Sequence, residues 1–121
     1  MQVEPTLKEG DDAHIKGFIL NKLYLGGYWI RPGGKHGRHT SIDNLPKGYP
    51  PRYRGKFKGI IKELKKEGLI CPYPSTKEEH ICAGLNPALI DVGLRLCNAY
   101  RKAVGLPLLD QGFREILEKT P

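Results

Sequence analysis

Residues 50–70 read PPRYRGKFKGIIKELKKEGLI, and this stretch decides the fold. Proline is tolerated at a first helical position, so Pro51 can open a helix that runs to about Glu67. At roughly 100° per residue, Tyr53, Phe57, Ile60, Ile61 and Leu64 share one face. Gly68 follows as the residue that ends a helix cheaply in the left-handed conformation. The outer surface of this helix is unusual. It carries Arg52, Arg54, Lys56, Lys58, Lys62, Lys65 and Lys66 against only Glu63 and the terminal Glu67. It also carries Gly55 and Gly59, each costing about 1 kcal/mol relative to alanine in a helix interior. Two readings of the glycines stand together: close approach of an external polyanion, or close packing of another helix of the same chain.

The charge of the whole chain has the same centre. Between Lys35 and Lys66 lie ten Lys or Arg and two acids, Asp43 and Glu63, whereas the rest of the 121 residues is nearly balanced. A concentrated basic stretch inside a folded domain is the footprint of a polyanion binder. A hydrophobic content of 39% with 27% charged residues fits one globular domain with a real core. No apolar run approaches the roughly 18 residues of a membrane span. The acidic, polar start MQVEPTLKEGDD fits neither a signal nor a transit peptide, and a cytoplasmic location is expected. Two glutamines and four asparagines beside abundant Lys and Glu lean towards a thermophile.

On either side of the basic helix the punctuation is clear. Asp11 or Asp12 can cap a first helix, in which Ile15, Phe18, Ile19, the stem of Lys22, Leu23 and Tyr24 follow helical spacing up to Gly26-Gly27. Tyr28, Trp29 and Ile30 supply core anchors. RPGGKHGRH, residues 31–39, is a loop, with Lys35, His36, Arg38 and His39 as its cations. Thr40 with Asp43 forms a loose capping box for a short helix through Leu45, after which Pro46, Gly48, Pro50 and Pro51 impose a turn. LICPYP and EHICAGL read as two short strands around the turn residues Ser75 to Glu78, an arrangement in which Cys71 and Cys82 could lie across from each other without the spacing fixing the register. Asn86-Pro87 opens a helix to Val104, closed by Gly105, with Leu89, Val92, Leu96, Tyr100 and Ala103 as its stripe. A short amphipathic segment ends the chain.

This order of helix, short helix, basic helix and hairpin resembles a winged helix-turn-helix domain of archaeal type. The resemblance rests on Ser41-Ile42-Asp43-Asn44-Leu45 and on Leu64-Lys65-Lys66-Glu67-Gly68-Leu69-Ile70, and it covers residues 12–86. It implies an α+β, mainly helical fold with a small β-hairpin wing. Residues 1–11 would form a tail, and residues 87–121 an added helical extension for packing or dimerisation through the helix 88–104. By the same resemblance, the basic helix lies in the major groove of double-stranded DNA, as in a transcriptional regulator or chromatin-associated factor. The contact residues would be Lys35, Arg38, Lys47, Arg52, Arg54, Lys56, Lys58, Lys62 and Lys66, with Gly55 and Gly59 giving close approach. Arginine suits bidentate contacts, and lysine suits point-charge phosphate contacts.

Three features depart from the simplest case. NLPKGYPP is longer and richer in proline than the usual turn, Lys77 is the only base of the wing and is flanked by Glu78 and Glu79, and winged-helix ribosomal proteins share the glycine-bearing basic helix. RNA binding and a protein–protein module are therefore the alternatives. Cys71, His80, Cys82 and Cys97 lack the tight pairing of a structural zinc site. No nucleophile elbow, phosphate-binding glycine loop or acid/base pair is present, so no enzyme, cofactor or metal is expected.

Overall fold

The computed structural model describes residues 7–30, 38–73, 80–84 and 87–119. The fold is α+β and mainly helical, with α1 (Asp12–Leu25), α2 (Arg54–Lys66), α3 (Pro87–Ala103) and α4 (Gln111–Lys119) around a small sheet. Its strands are β1 (Trp29–Ile30), β2 (Thr40–Ser41), β3 (Ile70–Tyr73) and β4 (His80–Gly84). β4 is central. β3 pairs antiparallel along one edge, β2 pairs antiparallel with its first half on the other edge, and β1 runs parallel beside its second half. The turn of the hairpin, most of the 31–39 loop and the cap Asn86 lie outside the described residues.

Helix α1 is the centre of the molecule. His14, Ile15, Gly17, Phe18, Ile19, Leu20, Leu23 and Tyr24 are all buried, so the helix is apolar nearly all round rather than along one stripe. Asp11 stands at its N-cap, but the carboxylate accepts from the Lys8 amide at 2.9 Å and gives the helix no side-chain cap. α3 lies against α1 by way of two glycines. A Cβ on Gly17 would sit 2.5 Å from the Leu96 carbonyl oxygen, and one on Gly93 would sit 2.0 Å from the Tyr24 hydroxyl. Small residues thus set the contact line. The expected stripe on α3 is corrected by a turn of roughly 100°. Ile90, Gly93, Leu94, Cys97 and Arg101 face inward, Leu89, Leu96 and Tyr100 are partly buried, and Val92 is 38% exposed. Arg101 is buried because Asn21 Oδ1 (2.8 Å) and the Pro107 carbonyl accept from it. A second copy meeting this helix would find its outer face, since the inner one is covered by α1.

In β3, the Gly84 amide donates to the Leu69 carbonyl at 3.1 Å, which fixes the alternation of the antiparallel ladder. Cys71–Cys82 is then a hydrogen-bonded pair, and Pro72 falls opposite Ile81 in a non-bonded pair with its nitrogen turned to the outer edge. A proline is tolerated in this strand for that reason.

The chain between the short helix and α2 is held from α1. Ile42–Asn44 is a 3₁₀ turn capped by Ser41, whose Oγ accepts from the Asp43 amide at 3.3 Å; Thr40, the expected cap, belongs to β2. The Lys22 ammonium then donates to the carbonyls of Asn44 (2.9 Å), Leu45 (3.2 Å) and Lys47 (2.5 Å). Burial, followed by the nearby Lys47 charge, lowers its pKa. Three donors meet three acceptors at the end of a helical turn, where a cation is favoured. Further along, the Tyr49 hydroxyl accepts from the Gly10 amide (2.7 Å) and lies 2.8 Å from His14 Nδ1. The hydrogen bond between the hydroxyl and His14 takes its direction from the tautomer of the ring, and burial lowers the His14 pKa, which favours the neutral imidazole. Phe18, Phe57 and Tyr53 pack edge-on around Tyr49. Replacing Lys22 by Met, which keeps the stem but leaves three carbonyls without their donor, is expected to cost about 2–3 kcal/mol in urea unfolding.

Candidate nucleic-acid interface

Pro51–Tyr53 forms a 3₁₀ turn with proline leading, and α2 continues from it to Lys66. Gly68, at φ 79°, ends it as expected, with the Leu69 amide returning to the Leu64 carbonyl at 3.0 Å. Phe57, Ile60, Ile61 and Leu64 are buried, and Tyr53 is partly so. The inward face of the helix is thus fixed, and the direction of every other side chain follows from it.

One flank of α2 is bound to α1. Lys16 lies 2.6 Å from Glu67 and 3.3 Å from Glu63, so both acids of the basic segment's helix are held by a single cation. Burial pulls the Lys16 pKa down, but its hydrogen bonds to Glu67 and Glu63 outweigh that and leave it raised. Lys56 pairs with Asp12 (3.0 Å) and donates to the Gly10 carbonyl (2.6 Å). Arg52 pairs with Glu9 (2.9 Å) and lies over the Tyr53 ring. Two of the expected contact residues are therefore engaged within the protein, although both stay exposed.

The opposite face is open. Among the described residues, no atom outside the helix's own neighbourhood lies within 4 Å of a Cβ built on Gly55 or on Gly59. Packing of another helix against these glycines, one of the two readings above, is overturned: α3 packs on α1 instead. With 100° per residue, Gly59, Lys58, Lys62 and Lys66 all lie within about 60° of Gly55. Lys58, Lys62 and Lys66 are exposed and have no ion-pair or hydrogen-bond partner among the described residues, and the same holds for Arg54. Arg54 and Lys58 also edge a groove of about 500 Å³ between α2 and the preceding turn, with Ile42, Pro46, Phe57 and Ile61 as its apolar lining and Asp43 as its acid.

The remaining expected residues are dispersed. Lys47 is exposed on the turn held by Lys22. Arg38 lies over the Tyr28 ring at 4.9 Å, beside the exit of α1. Lys35 is outside the described residues. Of the loop histidines, His39 meets His80 at an Nδ1–Nδ1 distance of 2.8 Å, so one ring donates to the other. No group of three or more His, Cys, Asp or Glu side chains converges on a metal position among the described residues. Among the described residues, no helix is long and apolar enough to cross a membrane.

The roles of Lys16, Lys22 and Tyr49 were missed from sequence. The basic flank of Lys22, four residues after Phe18 on an otherwise apolar face, was the available signal of a cation needed inside. No family model, curated protein or solved structure matches this chain.

Because a Cβ on either glycine would meet nothing among the described residues, their helix cost is not offset by packing there. Gly55→Ala and Gly59→Ala are each expected to raise the unfolding free energy by about 0.5–1 kcal/mol, read from the urea midpoint.

Proposed function

We propose that this chain is a winged helix-turn-helix protein that binds double-stranded nucleic acid, with DNA as its target, through the open face of α2. In this reading it serves as a transcriptional regulator or a chromatin-associated factor. The observation that carries it is the pair Gly55 and Gly59, which among the described residues leave room for a Cβ that meets no neighbour and are flanked by Arg54, Lys58, Lys62 and Lys66 without partners. An α-helix with side chains is about 10–12 Å across and a major groove about 12 Å wide. Two glycines one turn apart thin the helix at the middle of the face that enters. The lysines beside them then reach the phosphates, and Arg54 at the leading end is placed for a base edge or a phosphate. The element order α1, short turn, α2 and hairpin supports the same reading. The acids of α2 do not oppose it, since Lys16 holds both on the far flank.

Fluorescence anisotropy against duplex DNA and duplex RNA of equal length, across a salt series, tests this. The protein is expected to bind DNA with a steep dependence on salt, as counterion release requires. Changing Arg54, Lys58, Lys62 and Lys66 to alanine should lower the slope of log affinity against log salt by about 3–4 units while the fold is kept. Changing Arg52 and Lys56 should lower it by about one unit or less, because both cations are already paired. A preference for duplex RNA would move the reading to a ribosome-related protein, and absence of binding to either at low salt would overturn it.

A further inference from the structure

The two strands of the hairpin carry a pair of thiols that the nucleic-acid reading does not use. Cys71 and Cys82 are register partners, and their sulfurs are 3.4 Å apart. They occupy a hydrogen-bonded antiparallel pair, in which Cα atoms are about 5.5 Å apart. That separation is close to the commonest one for disulfides, about 5.5–6 Å. A bond between the sulfurs therefore asks for the two atoms to close from 3.4 Å to about 2 Å, with a small inward adjustment of the two Cβ atoms. The two cysteines also differ in access. Cys82 is 1% exposed, whereas Cys71 is half-buried and can be met from solvent.

We propose that Cys71 and Cys82 form a peroxide-oxidised dithiol in which Cys71 is the attacking sulfur and Cys82 the resolving one. The Cys71 thiolate attacks one oxygen of hydrogen peroxide, the O–O bond breaks, and the departing hydroxide takes up a proton as water. Cys71 is now a sulfenic acid. The Cys82 sulfur attacks it, an S–S bond forms, and the sulfenic oxygen leaves as a second water with the proton from Cys82. Two thiols and one peroxide give one disulfide and two waters; an added dithiol reverses the bond by exchange. The hydrogen bond from Cys82 lowers the Cys71 pKa, which favours its thiolate, whereas the same pairing and burial push Cys82 up. The bond would fasten β3 to β4 immediately after α2. The proposal is independent of whether α2 binds nucleic acid.

The third cysteine is an internal control. Cys97 is fully buried, its thiol lies 3.6 Å from Asn21 Oδ1, and burial pushes its pKa up to about 12. The experiment treats the whole protein with one equivalent of hydrogen peroxide, then denatures it in a maleimide and measures intact mass and peptide masses. The expected product has lost two hydrogens, carries a maleimide on Cys97 alone, and regains all three labelling sites after dithiothreitol. Cys71→Ser should slow peroxide consumption about tenfold or more. Cys82→Ser should leave a sulfenic acid on Cys71 that a dimedone probe captures. Oxygen addition with no loss of hydrogens in the wild type, a disulfide-linked dimer through Cys71, or oxidation of Cys97 as fast as Cys71 would each overturn the proposal. So would recovery of untreated protein with one zinc ion bound by the two thiols.

Discussion

Lys22 reaches out of the most buried helix of the protein and donates to three carbonyls of the segment that precedes the basic helix. The segment Leu45–Pro50 has too many prolines and glycines to hold a regular structure by its own ladder. Its carbonyls must be satisfied from elsewhere, and one ammonium with three donors does this at a single point. Tyr49 completes the attachment by joining His14 and the Gly10 amide. The turn is thereby a rigid bracket, and α2 leaves it at a fixed angle. Without that bracket the apolar face of α2 would still find the core, but the segment leading into the helix would lose the donors that hold its path.

The division of charge on α2 follows from the same placement. Because the helix runs beside the N-terminal half of α1, its two acids and Lys56 fall on the α1 side and are matched there by Lys16 and Asp12. What remains outside is of one sign. Surface ion pairs of this kind contribute little stability, on the order of 0–1 kcal/mol each. Their consequence is instead spatial, since they remove negative charge from the neighbourhood of the open lysines and so raise the potential there.

Much of the fold was legible because local signals agreed with each other. Pro51, the 57–60–61–64 stripe and Gly68 give the start, face and end of α2, and the structure has all three. The hairpin left Cys71 and Cys82 free to lie across from each other, and their register comes from the folded ladder. Three things were not legible. Two-residue strands such as β1 and β2 have no periodicity to detect, and they exist only because β4 offers its edge. The buried face of α3 was misplaced because hydrophobicity was taken as its guide, whereas Gly17 and Gly93 decide where two helices approach. At the candidate site the sequence named the right helix but could not separate Arg52 and Lys56 from Arg54, Lys58, Lys62 and Lys66. That distinction depends on acids, Glu9 and Asp12, that lie some forty residues earlier and meet α2 only in the folded chain.

The central claim is that the glycine face of α2 is kept bare for a nucleic-acid backbone at some expense to the protein's own stability. Its most direct test is the affinity of the double variant Gly55→Ala/Gly59→Ala for duplex DNA at fixed salt, measured beside its unfolding free energy. The account predicts a protein that is more stable and yet binds about tenfold more weakly, a loss of about 1.4 kcal/mol, because the added methyl groups hold the helix away from the groove. A variant that is more stable and binds as well as the parent would contradict it.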